Sequence, residues 1–221
     1  MSKAEIFGNI RRGLGRGEPT AQQRAAAENR IAAKANNLIP KRAQLPQPEQ
    51  VQLFREMAIE AAAELIELNS TSEVPMAVSE WLHKENIQEL VTASSPELKG
   101  MDWSALGEIK LTERVAQAGD MASITSSFAG IAETGTLMLH SSADSPTTLN
   151  FLPDVHMVVL HASTIVGPYE DAWKQLRLAH KGVMPRTVNM ITGPSRSADI
   201  EQKLQMGAHG PRTLVILLIN D

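Results

Sequence analysis

Apolar residues recur first at helical spacing and later in short runs of strand length. Val51, Phe54, Ala58, Ala61, Leu65 and Leu68 form one stripe, which predicts a core-facing helix over 49–68. Beyond Asn69 the rhythm changes. Strands are predicted over 76–78, 89–92, 109–114, 136–140, 156–161, 187–192 and 213–219. Helices are predicted between them over 79–86, 121–131, 169–180 and 198–206. The near-continuous apolar runs Met157–Leu160 and Leu214–Ile219 suit a sheet covered on both faces. The alternation predicts a three-layer α/β domain with a mainly parallel sheet, in which ligands sit at the carboxyl ends of the strands.

The N-terminal segment reads differently. Ser2 with Glu5 and Thr20 with Gln23 are two capping-box patterns, each opening a helix. The second helix is alanine-rich and has little apolar surface to bury. Pro40, Pro46 and Pro48 then mark a linker, so the expected domains are a basic helical arm over 1–48 and an α/β body over 49–221. Charge sharpens this division. Residues 1–48 carry nine Lys/Arg against three Asp/Glu, a net +6. The remaining twelve Lys/Arg against twenty-two Asp/Glu leave 49–221 at −10, and the whole chain at −4. The arm therefore reads as a docking segment for the body or for a neighbouring subunit of a homo-oligomer. Membrane or phosphate contact is the alternative. An acidic body with 4% aromatic residues argues against nucleic acid as a partner.

The absence of cysteine removes thiolate catalysis, disulfides, and Cys-ligated zinc or iron–sulfur clusters. No cofactor is expected in this chain, and redox chemistry would have to come from a partner. No apolar run approaches the length of a membrane span, and the N-terminus lacks a signal-peptide core, so the expected location is cytoplasmic.

Two loops hold candidate chemistry. Glu133-Thr134-Gly135-Thr136 leads into the strand over 136–140. Its carboxylate suits a general base, and its threonines suit substrate hydrogen bonds; the competing reading is a self-satisfied turn. Gly193-Pro194-Ser195-Arg196-Ser197-Ala198-Asp199 joins a strand to a predicted helix, with Ser197 as N-cap. A glycine loop before a helix N-terminus is an anion site, and Arg196 adds a fork that matches a carboxylate. The competing reading is a simple capped helix. His209 lies in the loop before the last strand, with turn filler as its alternative role. His156 and His161 are five apart on one strand, so they face opposite sides and cannot share a metal. No metal site is expected.

Four blocks occur in order: Ile131–Leu137, Leu152–His156, Ile191–Gln202 and Gly207–Arg212. Together they closely resemble the lactate utilization protein C family, the single-domain members of the LUD domain group. The resemblance covers roughly 70–221. It implies a fold like that of the glucosamine-6-phosphate deaminase, ribose-5-phosphate isomerase and CoA-transferase superfamily. It also implies a part in oxidising L-lactate to pyruvate beside iron–sulfur partners, the lactate utilization proteins A and B. One departure stands out. Relatives place an Arg four residues before a Leu-Leu-Pro, and Thr147 occupies that place here.

Two functions follow as expectations. One is an accessory or substrate-handling subunit of an L-lactate oxidation system. Its small carboxylate or phosphate ligand would be held by Thr134, Gly135, Thr136, Ser195, Arg196, Ser197, Asp199 and His209. The other is an autonomous enzyme on a phosphorylated or CoA-linked small molecule, with Glu133 as catalytic base or nucleophile. Both expect the two loops to meet in one pocket at the carboxyl edge of the sheet.

Overall fold

In the computed structural model, helix α1 (Lys3–Gly13) opens the chain on the expected capping box, with Ser2 Oγ accepting from the Glu5 amide at 3.2 Å. Helix α2 (Ala21–Ala33) opens likewise on Thr20 and Gln23. The structure describes residues 2–197 and 205–221. Two compact units emerge, 1–38 and 39–221. In the first, neither helix buries a residue, and Ile6, Phe7, Ile10 and Leu14 are all exposed. Part of the expected linker belongs to the second unit. Ala43 is fully buried there, and its carbonyl lies where a Cβ on Gly167 would stand.

The second unit runs α3 (Gln47–Glu60), β1 (Glu64–Leu68), α4 (Val74–Lys84), β2 (Glu89–Thr92), α5 (Pro96–Lys99), β3 (Lys110–Glu113), β4 (Ala122–Ser126), β5 (Ala129–Ile131) and β6 (Thr136–His140). It continues with β7 (Val155–His161), β8 (Ile165–Val166), α6 (Tyr169–Ala179), β9 (Val188–Ile191), β10 (Arg196–Ser197), β11 (Gln205–Met206) and β12 (Thr213–Ile219). Six strands form a fully parallel sheet in the order β1-β12-β7-β4-β2-β3. A second sheet, β8-β5-β6-β9, is mainly antiparallel.

Alternation along the central strands separates two cores. Met157, Val159, Val215 and Leu217 face the α4 side with Val78, Leu82 and Leu98. Val158, Leu160, Ile216 and Leu218 face α3 and the second sheet, meeting Phe54, Ala58 and Leu137. Helix α6 covers the far face of the second sheet through Ala172 and Leu176. The expected mixed α/β class with a mainly parallel sheet is therefore the fold observed. The second sheet is an additional layer.

Three elements differ from expectation. The helix over 49–68 stops at Glu60, and Leu65 and Leu68 belong to strand β1. Ala62 takes φ 67°, and the Ala63 amide reaches the Ala58 carbonyl at 3.0 Å. This is a left-handed helix stop built on alanine, with no glycine to announce it. Met76–Val78 lies inside α4, whose first turn accommodates Pro75. The segment 121–131 is two strands. Ala122 and Ile124 alternate with Ser123 and Thr125, and a sheet buried on both faces takes up all four. Of the helix expected over 198–206, Gln205 and Met206 form strand β11, paired with Arg196 and Ser197. The rest, including Asp199, lies outside the described residues.

Candidate functional site

One cavity of the second unit is bounded by residues from four places in the chain. Strand β7 begins with Val155-His156, and the alternation that buries Val158 and Leu160 beneath α3 puts His156 on the same face. Thr125 of the neighbouring β4 shares that face, and its Oγ1 lies 2.8 Å from His156 Nε2. Ser123 donates to the Leu149 carbonyl at 2.6 Å. That bond anchors a 3-10 turn at Thr147–Asn150 and sets Asn150 beside the start of β7. The walls are the end of β9 with 192–196, and the loop 209–211 before β12.

These last two segments are laced together. The Ser195 amide donates to the Pro211 carbonyl at 2.8 Å, and the Gly207 amide to the Ser195 carbonyl at 2.9 Å. Ser195 Oγ accepts from the His209 amide at 3.3 Å. The cavity they enclose has a volume of about 420 Å³, within the usual range for small-molecule sites. Arg196 and His209 stand exposed on its rim.

The floor is polar and buried. His156 is 0% exposed and Asn150 4%. His156 Nδ1 and Asn150 Oδ1 have no hydrogen-bond partner among the described residues. Burial pushes the His156 pKa down to about 3, so the ring is neutral at physiological pH.

The expected site residues thus divide. Ser195, Arg196 and His209 gather at the cavity. Ser197 sits in the short ladder with Gln205 rather than on a helix end. Glu133, Thr134, Gly135 and Thr136 form the turn between antiparallel β5 and β6, and none of them lines the cavity. The two loops do touch. Thr136 Oγ1 lies 2.6 Å from Thr192 Oγ1, and Thr134, Thr136 and Tyr169 share hydroxyl hydrogen bonds of 2.7–2.9 Å. These bonds satisfy the buried Thr136 hydroxyl and tie β6 and the end of β9 to α6. The Glu133 amide donates to the Gly167 carbonyl.

Both loop glycines serve packing. Gly135 has φ 64° and Gly193 φ 65°. A Cβ on Gly135 would stand 2.4 Å from the Ala58 amide nitrogen, and one on Gly193 2.0 Å from the Ala61 carbonyl oxygen. The end of α3 thus fills the space in front of each, where a ligand was expected. The cavity's position also departs from expectation, because His156 and Leu214 are near the amino ends of β7 and β12. It opens at the amino edge of the parallel sheet, beside the carboxyl end of β9 in the second sheet.

His156 and Asn150 were not among the expected site residues. The signal was present: a histidine inside the apolar run Val155–Leu160 has to be buried, and a buried imidazole needs partners. The spacing of His156 and His161 speaks only to a shared metal and says nothing of that burial. Among the described residues, no group of three or more His, Cys, Asp or Glu is placed to hold a metal ion. No helix among them is long and apolar enough to cross a membrane.

Comparison with known proteins agrees with this architecture. The LUD domain model matches residues 23–219. Lactate utilization protein C of Macrococcus caseolyticus is 26% identical over 100% of this chain and 96% of its own. Lactate utilization protein C of Bacillus licheniformis is 34% identical over 56% of this chain and 51% of its own. An uncharacterized protein of Neisseria meningitidis serogroup B is 48% identical, over 41% of this chain and only 38% of its own. A DUF162-family crystal structure from Deinococcus radiodurans superposes with a TM-score of 0.59 at 20% identity, covering 79% of this chain and 99% of that one.

Proposed function

This chain belongs to the LUD domain family, and from that premise we propose that it serves lactate utilization as a substrate-handling or accessory subunit. A small carboxylate enters the cavity at the amino edge of the large sheet and meets Arg196 at the rim. Arg196 is suited to this because its planar fork matches a carboxylate with two parallel hydrogen bonds. Redox chemistry resides in iron–sulfur partner proteins, since a chain without cysteine has no thiolates to ligate a cluster. The observation that carries this reading is the convergence of Ser195, Arg196 and His209 on one cavity with a buried polar floor.

The test has two arms. Tagged protein purified from lactate-grown cells is expected to bring iron–sulfur proteins with it. Calorimetric titration of the isolated chain with L-lactate is expected to give binding that Arg196→Ala weakens by about tenfold, the worth of one charge-assisted pair. Neither co-purification nor Arg196-dependent binding would leave the reading without support.

A further inference from the structure

The cavity floor has a hydrogen-bonding polarity that follows from Thr125. This hydroxyl is fully buried on a central strand, and His156 Nε2 at 2.8 Å is its partner. A buried hydroxyl proton needs an acceptor, and His156 Nε2 is the hydrogen-bond partner of Thr125 Oγ1 among the described residues. A neutral imidazole that accepts at Nε2 carries its proton on Nδ1. With that tautomer, the buried residues that line the cavity carry one N–H donor, His156 Nδ1, and one carbonyl acceptor, Asn150 Oδ1. Both are buried, and neither has a partner among the described residues. Leaving such atoms unmatched costs about 1–3 kcal/mol each, a cost borne at functional sites.

We infer that His156 and Asn150 form a hydroxyl-recognition floor, selecting a hydroxy acid over the corresponding oxo acid and over the acid that lacks the oxygen. The inference rests on the proposed carboxylate site at Arg196 and adds to it the group at the other end of the ligand. A hydroxyl matches the floor on both counts, accepting from Nδ1–H and donating to Oδ1. A ketone oxygen accepts from Nδ1–H but leaves Oδ1 facing a second acceptor. A methylene satisfies neither. A carboxylate is rejected, because a neutral ring and an amide carbonyl give it no countercharge in a desolvated place. Burial keeps His156 uncharged at neutral pH, so the floor does not become an anion site. Thr125 acts as a positioning residue: it touches no ligand and fixes which ring nitrogen carries the proton.

Three acids of one size separate the floor from the rim. Calorimetric titration of the full chain at pH 7 with L-lactate, pyruvate and propionate is expected to rank L-lactate first. The expected margin is about tenfold or more, the discrimination of a site that hydrogen-bonds a substrate hydroxyl. Asn150→Leu should remove most of the preference over pyruvate. Arg196→Ala should weaken all three acids together and leave their order unchanged. Nitrogen-15 NMR of the His156 ring supplies a readout that needs no ligand and no variant. The proton is expected on Nδ1, with Thr125→Val relaxing that tautomer.

Equal affinity of wild-type protein for the three acids, with Arg196→Ala still weakening them, overturns the floor and spares the carboxylate site. A ring proton on Nε2 also overturns the floor. Absence of binding by all three, or binding indifferent to Arg196, overturns both readings. If Asn150→Leu fails to fold, the ranking on wild-type protein and the ring tautomer still decide.

Discussion

Strand β7 carries two histidines, one near each end, and the two edges of the sheet have made opposite use of them. His156, near the amino end, is fully buried, neutral and held by one hydroxyl. His161, at the carboxyl end, is partly exposed, with Nε2 2.7 Å from Glu97 and Nδ1 2.7 Å from Asp221. Desolvation depresses its pKa, but the hydrogen bonds to Glu97 and Asp221 outweigh this and raise it overall. An odd separation on one strand sends the two side chains to opposite faces, and the surroundings of each face do the rest. One strand thus holds a matched and an incompletely matched imidazole. The carboxyl edge, where ligands were expected, has satisfied His161 on both nitrogens. The amino edge leaves His156 Nδ1 and Asn150 Oδ1 unmatched at a cavity of about 420 Å³, while the carboxyl edge leaves Ser126 Oγ unpartnered and has a smaller cavity of about 240 Å³ lined by Thr92 and Glu113.

The contrast predicts opposite responses to pH. The folded pKa of His156 lies below its ordinary value. Its contribution to stability is therefore complete above about pH 6.5 and is lost as pH falls toward about 3. Between pH 6.5 and 4 this group alone is expected to remove roughly 3 kcal/mol. Denaturant titrations of wild type and His156→Gln across that range should show a shallower decline in the variant. Parallel declines would mean that His156 is not the buried neutral group described.

The next largest effect breaks the cavity wall. Gly193→Ala places a Cβ in the Ala61 carbonyl and strains a positive φ. A loss of about 2–4 kcal/mol is expected, seen as a lower denaturant midpoint, together with weakened ligand binding.

At the carboxyl edge, His161→Gln is expected to cost only about 1 kcal/mol, because the pair is partly solvated. Its sign with pH is reversed. The folded pKa is raised, so the stabilisation is complete below about pH 6.5 and disappears as pH rises through the folded value. Wild type and variant should differ more at pH 6 than at pH 9 by thermal melting.

The smallest stability effect belongs to Arg196→Ala. An exposed rim side chain should change stability by about 0.5 kcal/mol or less while its loss impairs anion binding. A large thermal shift would make Arg196 a structural residue and remove the rim from the comparison.

The sequence by itself determined the elements whose signals are local. The two capping boxes, the strands over 89–92, 136–140 and 213–219, and helix α6 are each written in a few adjacent residues. It also determined that Ser195 and His209 belong to loops flanking strands, whereas Arg196 pairs in the short strand β10. Tertiary structure alone decided the remainder. Ser123 and Thr125 take up strand geometry because a covered sheet rewards alternation, which an isolated window of 121–131 does not reveal. Helix α3 stops at an alanine in the left-handed region, where no residue type announces a stop. Gly135 and Gly193 owe their conformation to the end of α3, which reaches both across gaps of many residues. Above all, the cavity at the amino edge depends on two distant segments zipping together. Ser195 does so with His209 and Pro211, through long-range hydrogen bonds that leave no local pattern in the sequence.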